Sequence, residues 1–125
     1  MANSGNTGLT RIIKAAGYSW QGIKSAYKNE AAFRQESWLA LVLIPLAIWL
    51  SENATQLALM ISSVVLLMMI EIINSAIEAA IDRHGDEQHE LSGRAKDMGS
   101  AAVLFAFVYL VLIWAGIIWD NYILI

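Results

Sequence analysis

Residues 37–51, 53–70 and 98–119 carry no charged side chain. Crossing a hydrocarbon core of about 30 Å takes roughly 20 helical residues. The 22 residues of 98–119 suffice by themselves. The 18 of 53–70 suffice if the helix continues past Glu71, and the 15 of 37–51 if it begins in the helix-compatible stretch before them. Pro45 lies inside the first run and removes one internal hydrogen bond, a loss that membrane helices tolerate. The expectation is an all-α membrane protein with three spans, near 29–50, 54–82 and 91–119, in a single domain over 1–125.

Composition agrees. The chain has 125 residues, 58% hydrophobic and 15% charged, against roughly 45–50% and about 25% in soluble domains. So short a chain could not hide that much apolar surface from water. With no cysteine there is neither a disulfide framework nor thiolate chemistry, and a net charge of −3 argues against a nucleic-acid partner.

The eight basic residues fall in two blocks. Arg11, Lys14, Lys24, Lys28 and Arg34 precede the first span, while Arg83, Arg94 and Lys96 lie between the second and third. The link near Glu52 and the tail after Trp119 carry none. The positive-inside rule places the N-terminus and the 82–97 segment in the cytoplasm and the C-terminus outside. Trp38, Trp49, Trp114 and Trp119 fall near span ends, where aromatic belts sit.

Residues 9–28 read differently. Leu9, Ile12, Ile13, Ala16, Trp20, Ile23 and Tyr27 share one face of a 3.6-residue helix, with Arg11, Lys14, Gln21, Lys24 and Lys28 on the rest. Such a basic amphipathic helix either rests in the membrane interface or packs on the protein's own cytoplasmic side.

The polar minority points to function. Glu71, Asn74, Glu78 and Asp82, spaced 3, 4 and 4 apart, share one face of the second span. Glu90, Gly93, Asp97 and Ala101 offer a matching edge on the third, with small residues that allow close approach. Eighteen uncharged residues, roughly 27 Å of helix, lie on one side of Glu71, and Asp82 lies roughly 16 Å away on the other. Glu71 is thus expected at the inner edge of the hydrocarbon, where a carboxylate is costly and marks a functional site. Its structural alternative is a Glu and an Asn that tie helices together. Glu30, Glu36, Glu78 and Asp97 could supply oxygen ligands to Mg²⁺, and spacing does not choose among them. His84 and His89 are poorly spaced for zinc and read as solvated loop residues. No phosphate-binding glycine loop, soluble-kinase signature or serine-hydrolase elbow is present. Residue chemistry alone leads to a small membrane protein with a carboxylate-lined cytoplasmic site.

The stretch from Glu71 to Arg83 (EIINSAIEAAIDR) and that from Glu90 to Ala102 (ELSGRAKDMGSAA) resemble the prokaryotic diacylglycerol kinase family. The runs from Thr10 to Trp20 and from Asn29 to Glu36 resemble it as well, so that the motifs cover most of residues 10–102. The resemblance implies an integral membrane kinase that uses MgATP to convert diacylglycerol to phosphatidic acid in the bacterial inner membrane. It also implies three membrane helices plus an N-terminal surface helix, and a homotrimer whose active sites are shared between subunits at the cytoplasmic interface. It puts Glu71 on the catalytic base and Glu30 and Glu78 on the metal-linked carboxylates. Arg11, Tyr18, Lys96 and Asp97 fall on nucleotide contacts, with Asn74 inside the site and the stretch from Glu87 to His89 on a nucleotide-contacting loop. Arg11, Trp20, Glu36 and Ser100 fall on positions tied to lipid substrate or site integrity. Residues 51–57 and 104–125 carry no motif of the family.

Two rivals remain at this level. Undecaprenol kinase would apply the same chemistry to an isoprenoid alcohol. A non-enzymatic membrane module or small transporter would pass ions along the carboxylate stripe, but charge clustered at one leaflet argues against a conduction path.

Overall fold

The computed structural model describes residues 7–85 and 89–124. Four helices follow one another: α1 (Gly8–Asn29), α2 (Ala31–Leu50), α3 (Ala54–Asp82) and α4 (Glu90–Ile118), the last running into a π-helical turn over Trp119–Ile123. Three helices are long and apolar enough to cross a membrane, over Ala31–Leu50, Ala54–Asp82 and Glu90–Ile123. Their outer faces carry side chains such as Leu41, Trp49, Phe105 and Leu112 in the open, an arrangement suited to lipid and not to water.

Local chemistry sets the boundaries. One extended residue, Glu30, separates α1 from α2. Its amide donates to the Ala26 carbonyl at 2.9 Å, and its own carbonyl accepts from Arg34 at 3.1 Å. The Arg34 guanidinium also donates to the Tyr27 and Lys28 carbonyls, at 2.8 and 2.9 Å. It thereby satisfies the open C-terminal end of α1 with a cation, the charge that end favours. Asn53 caps α3 by accepting from the Gln56 amide at 2.9 Å. Gly85, with φ of 90°, follows the end of α3, where a left-handed residue closes a helix at little cost. α2 runs unbroken through Pro45.

Packing is a seam shared by α2, α3 and α4. Ala40 and Ala47 of α2 meet Met60, Val64 and Leu67 of α3 and Ala106, Leu110, Trp114 and Ile117 of α4. In lipid such association comes from close van der Waals fit and interhelical hydrogen bonds, which is why alanines and a serine recur in the seam. The indole N–H of Trp114 donates to Ser63 Oγ at 3.0 Å, and that hydroxyl donates to the Met60 carbonyl at 2.6 Å, all within the buried core.

A second polar tie closes the end opposite the carboxylates. Gln56 and Asn121 exchange amide hydrogen bonds at 2.8 Å in each direction. Asn121 Nδ2 and the Tyr122 hydroxyl both donate to the Leu50 carbonyl, at 3.1 and 2.8 Å. The π-helical turn carries both residues, so the end of α4 holds the end of α2 and the start of α3 together.

The edge of α4 facing α3 differs from expectation. Gly93 has open space where a Cβ would stand, and Glu90, Asp97 and Ala101 are exposed. The seam runs instead through Gly99, Val103, Ala106, Leu110, Trp114 and Ile117. These seam residues recur at helical spacings of 3 and 4, and the larger ones among them, Val103, Leu110, Trp114 and Ile117, set the rotation of α4.

α1 is exposed along nearly its whole length, with Ala26 its one buried residue among those described. Its amphipathic face, including Leu9, Ile12, Ile13 and Trp20, is open within the chain.

Candidate functional site

The core seam turns polar at one end. On α3 the positions Met60, Val64 and Leu67 continue as Glu71 and Asn74, both buried, then Glu78, half-buried, then Asp82, exposed. The same helical face thus passes from apolar packing to a shielded carboxylate and out to solvent. On α2 the face holding Phe33 and Ala40 also holds Glu36, likewise buried. Glu36 is 7% and Glu71 5% exposed.

From α4 comes Gly99. A Cβ there would overlap the side-chain oxygen of Asn74, so the missing side chain is what lets the two helices meet at this level. Asn74 Oδ1 and Glu36 Oε1 are buried with no hydrogen-bond partner among the described residues. One turn toward solvent, Lys96 of α4 pairs with Asp82 of α3 at 2.7 Å, with both side chains well exposed and Glu78 close enough to add to the field at the ammonium.

Two cavities flank this cluster. One, of about 380 Å³, lies between α1 and α3 and brings Glu30 together with Ser75 and Asn29. The other, of about 530 Å³, lies where α1 meets α2 and α3; Trp20, Ile23, Phe33 and Met68 line it, with Lys24 and Lys28 at hand. The first offers polar groups, while the second is an apolar slot with cations.

The expected site residues divide accordingly. Glu36, Glu71 and Asn74 are gathered in the buried cluster, with Glu78 and Lys96 just beyond it. Glu30 and Trp20 line the flanking cavities. Arg11 and Tyr18 stand exposed on α1, with Arg11 about 27 Å along the helix from Asn29. Asp97 and Ser100 are exposed on α4, outside the seam. His89 caps α4, its Nδ1 accepting from the Leu91 amide at 3.0 Å. Glu87 lies outside the described residues. Among those described, no three His, Asp or Glu side chains form a ready metal cage.

Sequence reasoning passed over Ser75 and Gly99. Ser75 is buried one helical turn from Glu71 and lines the cavity that holds Glu30. A polar residue four positions after Glu71 was its available signal. Gly99 could be told from Gly93 only through its register with the seam.

Residues 17–118 match the prokaryotic diacylglycerol kinase family. The chain belongs to that family. It is 57% identical to a diacylglycerol kinase of Escherichia coli (strain K12) over 122 residues, which cover 98% of this chain and 99% of the relative. The diacylglycerol kinase of Haemophilus influenzae is 54% identical over 90% of the chain and 95% of its own length. That of Pseudomonas aeruginosa is 48% identical over 91% and 93%. The family match spans every element that builds the cluster, from the end of α1 to the end of α4, and makes the chain a multi-pass membrane protein of a prokaryotic kinase family.

Proposed function

We propose that Glu71 is the general base of the diacylglycerol kinase activity that the family assigns to this chain, transferring the γ-phosphoryl group of ATP to the lipid hydroxyl to give phosphatidic acid. The observation that carries this role is the exposure gradient along α3, from buried Glu71 to solvated Asp82. A diacylglycerol hydroxyl sits at the membrane interface and ATP remains in water. A base for that hydroxyl therefore belongs at the apolar end of the ladder, with the phosphate-handling groups further out: Glu78 roughly 10 Å along the helix, and Lys96 beside Asp82 at roughly 16 Å.

Phosphoryl transfer asks the protein mainly for positioning and charge neutralisation. Glu71 would accept the proton of the lipid hydroxyl as its oxygen attacks the γ-phosphorus. Lys96 and Arg11 would offset phosphate charge. Asn74, Tyr18, Asp97, Glu87 and His89 would hold the nucleotide, and Trp20, Glu36 and Ser100 would serve the lipid side together with Arg11. Glu30 and Glu78 fit Mg²⁺: both are incompletely buried carboxylates, and Mg²⁺ bound with phosphates takes only one or two such ligands. When bound, the ion would neutralise charge on the ATP phosphates.

The shared trimeric site remains part of the proposal. It is supported by the exposure of Arg11, Tyr18, Asp97 and Ser100 within one chain, which leaves these groups free to complete a neighbour's cluster. The basic segments around α1 and at 83–96 support a cytoplasmic N-terminus and inner-membrane residence, with the C-terminus in the periplasm. The test is transfer of labelled phosphate from MgATP into lipid by purified protein, with diacylglycerol and undecaprenol assayed side by side. Preferential labelling of diacylglycerol is expected; labelling of undecaprenol alone would overturn the substrate assignment.

A further inference from the structure

Two serines among the described residues are buried, Ser63 and Ser75, and their hydroxyls are used differently. Ser63 donates to the Met60 carbonyl and accepts from Trp114. Ser19, Ser37 and Ser62 likewise turn back on a carbonyl three or four residues earlier, the common resort of a serine inside a helix. Ser75 is 7% exposed, yet its hydroxyl has no hydrogen-bond partner among the described residues. It lines the cavity of about 380 Å³ that α1 and α3 of this one chain enclose. The other α3 residues there, Ile72, Ala76 and Ala79, are apolar, so Ser75 is the polar group that α3 supplies. Glu30 lies on the opposite wall. A buried hydroxyl kept off its own helix and turned to a polar cavity is suited to a ligand there.

The level of Ser75 on α3 identifies that ligand. It stands four residues beyond Glu71 and three before Glu78, on the same helical face, roughly 6 Å from the first level and about 4.5 Å from the second. With the lipid hydroxyl at Glu71 and the phosphates near Glu78, the group between them is the one being transferred. We propose that Ser75 binds the γ-phosphoryl group of ATP, its hydroxyl donating to a non-bridging oxygen. That hydrogen bond strengthens as charge spreads over those oxygens during transfer. Ser75 keeps its proton, and the proton of the lipid goes to Glu71. The Glu30 carboxylate on the other wall suits the Mg²⁺ that accompanies the nucleotide. This rests on the kinase reading with Glu71 as base, and adds a residue to which the family resemblance gives no role.

The test compares Ser75→Ala, Ser75→Thr and Ser75→Val in full-length protein, each shown by melting to be folded. Each is titrated with a non-hydrolysable MgATP analogue and with MgADP, and its kinetics are measured. Ser75→Ala should bind the analogue about tenfold more weakly, the order of one hydrogen bond to a charged group, while its affinity for MgADP stays within about twofold. Its kcat should fall about 100-fold, the order of one lost donor to transition-state charge, and its KM for diacylglycerol should stay within about threefold. Ser75→Thr keeps the hydroxyl and should hold analogue affinity within about threefold, whereas Ser75→Val, of the same size, should not. The threonine–valine pair separates the hydroxyl from the space it occupies. Unchanged analogue affinity in Ser75→Ala overturns the proposal, as does equal weakening of both nucleotides or a raised lipid KM with nucleotide binding intact. Wild-type protein assayed alongside keeps the two claims apart: no transfer from MgATP to diacylglycerol there removes the kinase reading, whereas active wild type with an unaffected Ser75→Ala removes only the role of Ser75.

Discussion

Gly99 of α4 rests on the side chain of Asn74 of α3, in the space that any other residue's Cβ would fill. Asn74 is buried against its neighbours, so it has little freedom to yield. Gly99→Ala is expected to destabilise the fold by about 1–3 kcal/mol, the usual cost of overpacking. It should also reduce turnover, because Asn74 is one turn from Glu71. Adding Asn74→Ala removes the overlap and should restore much of the stability but not the activity. Thermal melts of the three variants check this, and simple additivity of the two substitutions would contradict it.

The Trp114–Ser63 bond makes a different prediction. It lies in the buried seam, four helical positions before Leu67 and eight before Glu71. Trp114→Phe should cost about 1 kcal/mol for the lost bond, with some further loss from the smaller ring. A double-mutant cycle with Ser63→Ala should show coupling, since each substitution removes the same contact. Activity per folded molecule should change little, which assay of the refolded and unheated protein would establish.

Asn121 joins three spans through the Gln56 amide and the Leu50 carbonyl. Asn121→Ala leaves both of those partners short of a hydrogen bond and should lower stability by about 1–2 kcal/mol. Because the tie lies at the end opposite Glu71, kcat at low temperature should remain near wild type while thermal inactivation accelerates. Equal loss of kcat at all temperatures would show that the two ends are coupled.

Lys96 and Asp82 form an exposed pair, and exposed pairs contribute little to folding. Lys96→Met should leave the melting temperature nearly unchanged. It should raise the KM for MgATP about tenfold or more, the factor that one charge-assisted hydrogen bond is worth. An unchanged KM would remove Lys96 from the nucleotide site.

Much of this arrangement is written in the chain in one dimension. The three uncharged runs required membrane-length helices, because hydrocarbon forbids unpaired backbone. The spacing of Glu71, Asn74, Glu78 and Asp82 put them on one face before any packing was known. The burial of both Glu36 and Glu71 was not legible in the same way. Thirty-five residues separate them, and it takes the packing of α2 on α3 to shield carboxylates from both helices. Gly99 was hidden for a related reason: the sequence offers Gly93 and Gly99 alike, and the rotation that chooses between them is set by Val103, Ala106 and Leu110 further along α4. The break between α1 and α2 was expected between residues 28 and 29, but its form was not, since no proline or glycine marks it and the Arg34 side chain stabilises it from the following helix.

The most direct measurement is the single-turnover rate of phosphoryl transfer from MgATP to diacylglycerol by Glu71→Gln, in protein shown by melting to be folded and by titration to bind MgATP. Loss of a general base lowers such a rate by roughly 10²–10⁴-fold. A fall of that size with nucleotide binding intact is the result expected if Glu71 takes the lipid proton. Transfer within a few-fold of wild type by the folded variant would contradict it.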